Sequence, residues 1–325
     1  MPEVDVTGTN PIVYPEMVTW EWHVGLYLFL GGLVAGLMIL AGAIKLMRAR
    51  GFDRSLLIAD VAGLPLLAVG MLFLWIDLAN RWNAWRFFTT FEVTSPMSWG
   101  SWILLLSMLV LFLRLLARVP APRPAAPPSK KGLGARLRSG FRGVWAWVAG
   151  VGQRLARGKY ALDGVTLLLG IGLGFYTGIL LSSISARPMW SSAVLAPLFL
   201  VSGLASAGAF LCLFIPEREH KGLVPFSVLL CGVELVLIVA YAINQVTGTE
   251  AAQRAGGLIF GGDFTLPFWG LVVFMGLLLP MSAEGFELAN RHLPAVLGKV
   301  PPVLKLAGSM ALRLVIVYAG LRSFL

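Results

Sequence analysis

The sequence is poor in charge. Only 13% of its 325 residues are Asp, Glu, Lys or Arg, whereas 58% are hydrophobic, and the mean hydropathy is +0.81. This composition supplies too little polar surface to coat a water-soluble globule of this length. Apolar runs of about 20 residues recur along the chain without the alternation that is typical of barrel strands. The sequence therefore predicts an all-α polytopic membrane protein.

Cysteine and histidine are also scarce. Cys212 and Cys231 both lie within apolar runs, and they form no CxxC pair, so we expect no disulfide framework, metal site or iron–sulfur cluster in this chain. Haem in a membrane bundle needs paired axial histidines. His220 and His292 fall in predicted loops, which leaves only His23 near a span. Haem ligation is therefore excluded, and no Walker loop or catalytic triad is present.

Eight apolar runs are long enough to cross a membrane as helices. They cover residues 20–47, 57–80, 98–118, 161–184, 190–214, 223–245, 265–288 and 301–322. We interpret them as two four-helix bundles within a single integral membrane domain. Residues 1–118 hold the N-terminal segment and the first three helices, and residues 161–325 hold the other five.

Positive charge is distributed unevenly between the two sides of the membrane. If the N-terminus is placed outside, the inner loops and helix ends hold 20 of the 26 Lys and Arg residues. Because inner loops carry an excess of positive charge, this distribution predicts that both termini lie outside. The net charge of +10 then indicates orientation and contact with membrane lipids, and nucleic acid is not an expected partner.

Residues 119–160 carry nine basic residues and no acidic residue. A Pro-rich start leads into a stretch in which Trp145, Trp147 and Val148 are flanked by arginines, a pattern typical of an amphipathic helix in the membrane interface. We interpret this segment as a basic cytoplasmic linker between the two four-helix halves.

The two halves resemble each other weakly. The run FLGGLVAG at 29–36 is similar to FLVSGLASAG at 199–208, and small residues at such spacing allow close helix packing. The similarity indicates either a parallel repeat or a chance likeness between Gly- and Ala-rich spans.

Three polar residues far apart in the sequence fall at the same outer depth. His23 begins the first helix, Asp77 lies near the end of the second, and Tyr176 is about two-thirds along the fourth. Singly, each has a structural interpretation: a snorkelling imidazole, a salt bridge to Arg81, and an aromatic belt. Together they predict a polar pocket, walled by Trp20, Trp22, Trp75, Trp190 and the loop after Asp77.

Other acidic residues lie deeper. Glu234 falls near mid-membrane, and Asp163 and Glu284 lie nearer the inner side. Ionisable groups inside a membrane are costly and often mark proton routes. We interpret these three residues as a proton route from the inner side, with helix–helix contacts as the alternative.

Several motifs resemble the NrfD/polysulfide-reductase membrane-subunit (PsrC-like) family. They are WEWHVGLYLFLGGLVAG, then WIDLANRW with FEVTSPMSWGSWIL, then GFYTGILLSSISARPMW, in order through residues 20 to about 214. The resemblance implies an eight-helix protein of two four-helix bundles in the inner membrane of a bacterium or archaeon.

The resemblance also implies a function and a set of partners. Family members exchange electrons between a quinone or quinol and an outer-face, ferredoxin-like iron–sulfur subunit, which serves a molybdopterin or multihaem catalytic subunit. The membrane subunit does not act on the terminal substrate alone. The expected cofactor is menaquinone or ubiquinone.

The family's quinone-binding roles carry over to matching positions. A first-helix histidine and a fourth-helix tyrosine correspond to His23 and Tyr176, and the resemblance implies that both bind the quinone head. The family has an Asn four residues before that histidine, where this chain has Thr19, whose hydroxyl can also hydrogen-bond a carbonyl. We expect Asp77 to exchange the proton. Imidazole in general suits such a site, because its unperturbed pKa of about 6.5 lets it alternate between donor and acceptor near neutral pH.

Two other functions remain open from the sequence. A secondary transporter or ion-translocating protein would use Glu234 at mid-depth and a repeated architecture. An assembly anchor that has lost its quinone would explain Thr19 in place of the usual amide. Co-purification of an iron–sulfur protein with extractable quinone would distinguish the electron-transfer role from both.

Overall fold

The structure is a computed structural model that describes residues 22–78, 80–120, 146–147, 149–154, 158–184, 186–289 and 297–323. All regular secondary structure within these ranges is helical. Thr19, Trp20, Trp145 and His292 lie outside the described residues, so the predictions made for them stay predictions.

Eight helices in the described part of the chain are long and apolar enough to cross a membrane, which confirms the predicted spans. We number them α1 (Trp22–Leu46), α2 (Asp53–Asp77), α3 (Pro96–Ala117), α4 (Lys159–Ser182), α5 (Leu195–Phe214), α6 (Glu217–Thr247), α7 (Leu266–Leu288) and α8 (Val300–Arg322). Shorter helices lie at Arg86–Thr89 and Glu250–Phe260.

The eight helices form two bundles of four. Helices α1 to α4 pack together and α5 to α8 pack together. The bundles are joined by α1, which packs on α5 and α8, and by α4, which packs on α5. We call the end at which α1 stops and α2 starts the basic end, because Lys45, Arg48 and Arg54 lie there. The opposite end, with Trp22, Trp75 and the connection from α2 to α3, is the aromatic end.

The basic segment, residues 119–160, follows α3 and precedes α4 in the chain, and α4 packs against both α1 and α3. Most of the segment lies outside the described residues, so the prediction that it is a basic linker stays a prediction. Residues 149–154 are helical, and Gly152 lies against the backbone carbonyl of Leu116 at the end of α3.

Helix α7 departs from regular α-helical geometry. Its first part, Leu266–Leu278, is a π-helix, and its second part, Leu279–Leu288, is an α-helix. π-Helical turns are rare and occur often at functional sites. In this protein the π-helix faces α8, where the backbones of Gly276 and Gly308 touch.

The connection between α4 and α5 is anchored in the second bundle. The Arg187 guanidinium donates to the carbonyl oxygen of Leu321 at 2.6 Å, and burial lowers the pKa of Arg187. Trp190 is fully buried, and its indole N–H donates to the carbonyl oxygen of Ile316 at 2.8 Å. Trp190 therefore belongs to the core beside α8 instead of the predicted pocket wall.

The similar segments of α1 and α5 cross at very short range. A Cβ on Gly36 would lie 2.5 Å from the carbonyl oxygen of Gly203, and a Cβ on Gly203 would lie 2.5 Å from that of Gly32. Only glycine allows the two backbones to approach this closely. The crossing therefore fixes α1 against the second bundle.

Candidate functional site

A polar pair joins α1 and α2 at the aromatic end. The Nε2 atom of His23 lies 2.9 Å from Oδ1 of Asp77, and both side chains are largely buried. The pair forms because α1 begins, and α2 ends, at the same depth. The alternative salt bridge of Asp77 with Arg81 does not form; the Nε of Arg81 donates to the carbonyl oxygen of Ile76.

Tyr176 reaches the same end of the first bundle from α4. Its phenol ring lies over the bare backbone of Gly100 on α3, where a Cβ would overlap the ring. Gly100 therefore leaves the space that this aromatic side chain occupies. Tyr27, one turn after His23 on α1, interacts electrostatically with both Tyr176 and Asp77.

The structure thus brings together the three residues that sequence reasoning placed at one depth, and it adds Tyr27. The signal for Tyr27 was present in the sequence, since residues four apart share one face of a helix. Imidazole, carboxylate and phenol groups together can donate hydrogen bonds, accept them and exchange a proton.

Aromatic side chains surround this polar group. The Trp22 indole stands edge-on to His23 with ring centroids 5.9 Å apart, and it also contacts Phe73. Trp75 contacts Trp82 in the connection to α3. Trp82 and Trp85 project their rings from this connection into the surroundings.

A second polar cluster lies in the second bundle. Lys305 on α8 contacts Oε2 of Glu284 on α7 and the Ser227 hydroxyl on α6, each at 2.5 Å. All three side chains are buried. A charged pair this deep in an apolar bundle is costly unless its remaining hydrogen-bonding positions are satisfied, and Ser227 contributes to that by bonding both partners.

Glu234 lies deeper in the same bundle beside a cavity of about the size of one water molecule. The polar and thiol groups that line the cavity come from Ser202, Ser206, Cys231, Glu234, Lys305 and Ser309. Glu234 accepts a hydrogen bond from Ser202 and interacts electrostatically with Arg313 and Lys305. The cavity therefore connects the Lys305 cluster with the buried Arg313.

Arg313 is fully buried where α1, α5 and α8 meet. Its guanidinium donates to the hydroxyls of Ser202 at 3.1 Å and Ser309 at 2.5 Å. It also donates to the carbonyl oxygens of Leu28 on α1 and Phe199 on α5, each at 3.2 Å. One side chain thus ties the Glu234 cavity to the helix that carries His23.

Asp163 belongs to a separate cluster at the basic end of the first bundle. It pairs with Arg114 at 2.7 Å and with Lys45 at 3.6 Å, and Arg114 also binds Asp60 at 2.6 Å. The structure therefore does not bring Asp163 together with Glu234 and Glu284, which lie in the second bundle.

Sequence reasoning missed several buried charges within the predicted spans, among them Asp60, Lys305 and Arg313. Each lies within a membrane-spanning helix, so a charge inside an apolar run was the available signal. The described residues hold no group of three or more His, Cys, Asp or Glu side chains that could bind a metal ion.

Comparison with known proteins assigns the family. The model of the family described as "Polysulphide reductase, NrfD" matches residues 12–324. The chain belongs to the NrfD polysulphide reductase family. The predicted resemblance is therefore confirmed across nearly the whole chain, beyond the region that carried the motifs.

Individual relatives agree with the family assignment. The chain is 30% identical to "Protein NrfD" of Escherichia coli, with 94% of this chain and 96% of the relative covered. It is also 30% identical to the C chain of polysulfide reductase from Wolinella succinogenes, with 93% and 94% covered. The C subunit of selenate reductase from Mesobacillus selenatarsenatis is 24% identical over 83% of this chain and 68% of the relative. Two of these relatives are thus named as subunits of reductases.

We predict that replacing Arg313 with methionine destabilises the protein strongly. The change removes one of the two buried positive neighbours of Glu234 and removes donors from five oxygen atoms, which costs about 3–5 kcal/mol. Arg322→Met on the same helix removes an exposed ion pair with Asp263 and is expected to cost less than about 1 kcal/mol. Unfolding midpoints of the purified variants in detergent measure the difference, and equal midpoints would contradict the role assigned to Arg313.

Proposed function

We propose that this protein is the quinone- or quinol-reactive membrane subunit of a respiratory oxidoreductase complex in the inner membrane of a bacterium or archaeon. The observation that carries the proposal is the pairing of His23 with Asp77 beside Tyr27 and Tyr176, at one end of a bundle that belongs to the NrfD family.

The residues at the aromatic end fit a quinone head group. A quinone presents two carbonyl acceptors on a flat ring, and imidazole and phenol groups supply donors for them. Gly100 has no side chain where Tyr176 lies, so the phenol can stay at the same depth as His23. His23 and Tyr176 would hold the ring of a menaquinone or ubiquinone, with Thr19 as a further proposed partner.

Asp77 positions the proton on His23. A carboxylate accepts hydrogen bonds, so Asp77 holds a proton on Nε2 and leaves Nδ1 to exchange one with the bound ligand. With Nδ1 unprotonated, the imidazole accepts from a hydroxyl, and with Nδ1 protonated it donates to a carbonyl. A bound quinone supplies the redox chemistry by taking up two electrons and two protons to become a quinol.

Electrons would pass to an iron–sulfur subunit docked at the aromatic end, which is the outer face in the predicted orientation. The connection from α2 to α3 lies at this end, and the exposed rings of Trp82 and Trp85 offer apolar contact area there. The relatives are named as parts of polysulfide and selenate reductases. By analogy, a molybdopterin or multihaem subunit would hold the terminal substrate.

The proposed proton route runs through the second bundle. Glu284, Lys305 and Ser227 are joined by direct contacts, and Lys305 also lines the cavity beside Glu234. Arg313 is not a proton carrier, because a guanidinium keeps its protons; it holds the Glu234 cavity against α1 through the Leu28 carbonyl, one residue from Tyr27. Asp163 has no place in this series of contacts, and its own proposed role would need a separate path in the first bundle.

One observation favours an ion-translocating protein as a second candidate. The π-helix of α7 lines the Glu234 cavity with Val272 and Gly276, and irregular helices beside a buried charge are common in transporters. However, α6 continues unbroken through Glu234, whereas a transporter site would place the helix break there. Absence of a co-purifying iron–sulfur protein and of extractable quinone would favour this second candidate.

We predict that His23→Ala and Asp77→Asn lower quinol-linked electron transfer by at least about 100-fold, the usual contribution of a positioned acid or base. The assembled complex should keep its activity with a soluble redox dye, because the catalytic subunit is untouched. Asp263→Asn, an exposed change at the same end of the protein, serves as the control. Unchanged quinol turnover in His23→Ala would refute the assignment.

We also predict that Glu234→Gln slows quinone turnover by about tenfold or more without loss of assembly, because an amide cannot relay a proton. Glu250→Gln on the exposed surface helix is the matched control. Turnover measured in proteoliposomes with the assembled complex checks this, and a normal rate would leave Glu234 with a structural role alone.

A further inference from the structure

An ion pair at the basic end of the second bundle lies outside the site and route described so far. Nε2 of His220, in the first turn of α6, is 3.4 Å from Oε2 of Glu287, near the end of α7. Their side chains are 16% and 23% exposed. Water therefore reaches both groups, although neither projects freely from the protein.

The same helices carry the buried cluster of Lys305. Glu287 follows Glu284 by three residues, so the two carboxyl groups lie on one face of α7. The side chains of Glu284 and Lys305 are only 7% and 2% exposed. Exposure thus falls steadily from Glu287 toward the interior of the bundle.

Helix α6 repeats this progression on its own inner face. His220, Ser227, Cys231 and Glu234 follow one another at spacings of seven, four and three residues, which keeps them on one stripe of a helix. Ser227 bonds Lys305 and Glu284, and Cys231 lines the cavity with Glu234. The stripe therefore leads from the partly exposed His220 to the buried Glu234.

We propose that His220 and Glu287 form the mouth through which the proton route exchanges protons with water at the basic end. The proposal rests on the proposed function and deepens it, because it names the entrance of the route. For each quinone reduced, His220 and Glu287 take up two protons from water and pass them to Glu284 and the Lys305 cluster. The two electrons come from the iron–sulfur cluster of the partner subunit, and quinol oxidation reverses both flows.

A purely structural ion pair between α6 and α7 would behave differently. It would contribute to stability, but its loss would not limit the rate at which protons reach Glu234, and a small external base would not restore that rate. The partial exposure of the pair and its position on the same helix faces as Ser227 and Glu284 favour the mouth.

The first experiment uses the complete complex in proteoliposomes. His220→Ala and Glu287→Gln are expected to lower quinone-linked turnover by about tenfold, with dye-linked activity unchanged. Free imidazole added at the basic end should restore much of the rate of His220→Ala, because it supplies the missing proton carrier. Glu217→Gln, which changes an exposed carboxylate three residues before His220, is the matched control and should have the normal rate.

The outcomes separate this proposal from the proposed function. If Glu234→Gln slows turnover while His220→Ala and Glu287→Gln do not, the mouth is elsewhere and the proposed route stands. If none of the three variants slows turnover, the route itself is refuted. Slowing of His220→Ala without imidazole rescue would make the pair structural and would overturn the proposal of a mouth.

A second experiment measures the accessibility of position 220 to water from each side of the membrane, and it does not depend on quinone turnover. His220→Cys is treated with a membrane-impermeant thiol reagent in vesicles of each orientation, and labelling is measured by mass spectrometry. The protein with His220 intact provides the background, since Cys212 and Cys231 are both buried. Labelling only where the basic end faces the reagent is expected; labelling from the aromatic end, or from neither side, would overturn the proposal.

Discussion

The contacts of Arg313 are the constraint on which the arrangement of the two bundles depends. A guanidinium has five N–H donors, and a buried one is tolerated only where acceptors surround it. The acceptors come from three helices: Leu28 on α1, Phe199 and Ser202 on α5, and Ser309 on α8 itself. A Cβ on Gly32 would lie 2.6 Å from the guanidinium, so glycine is needed to admit it. The buried guanidinium of Arg313 therefore depends on the same glycine-lined surface of α1 that allows α1 and α5 to cross closely.

The proposed quinone-binding groups and the proposed proton route therefore lie in different bundles, and α1 takes part in the contacts of both. The His23 and Asp77 pair uses the beginning of α1, and the Glu234 cavity lies in the second bundle. Arg313 contacts α1 at Leu28, only five residues after His23. In the proposed function, that contact holds the bundle with the proton route against the helix that carries His23. The mouth at His220 and Glu287 would open this route to water at the basic end.

The sequence was a good guide to features that depend on depth alone. Apolar run length yielded eight spans, and helix direction placed His23, Asp77 and Tyr176 at one end, where the structure also has them. Features that depend on which helices pack side by side could not be predicted from the sequence. The separation of Asp163 from Glu284 and the position of Trp190 in the core follow from which helices are neighbours. The roles given to the site residues stay proposals.

Some other features could have been predicted from the sequence, but from patterns other than the depth of a residue in the membrane. Lys305 and Arg313 are charges within an apolar run, and the sequence analysis did not pair either of them with Glu284 or Glu234. Tyr27 follows His23 by one helical turn. The π-helix in α7 had no such signal, because its sequence, LPFWGLVVFMGLL, is as apolar as an ordinary span.

Photolabelling with an azido-substituted quinone tests the central claim, a quinone site at the aromatic end of the first bundle, most directly. The label should be found on peptides that carry His23, Asp77 or Tyr176, and excess unlabelled quinone should compete it away. Competable labelling confined to the peptides of α6, α7 and α8 that surround Glu234 would contradict the claim.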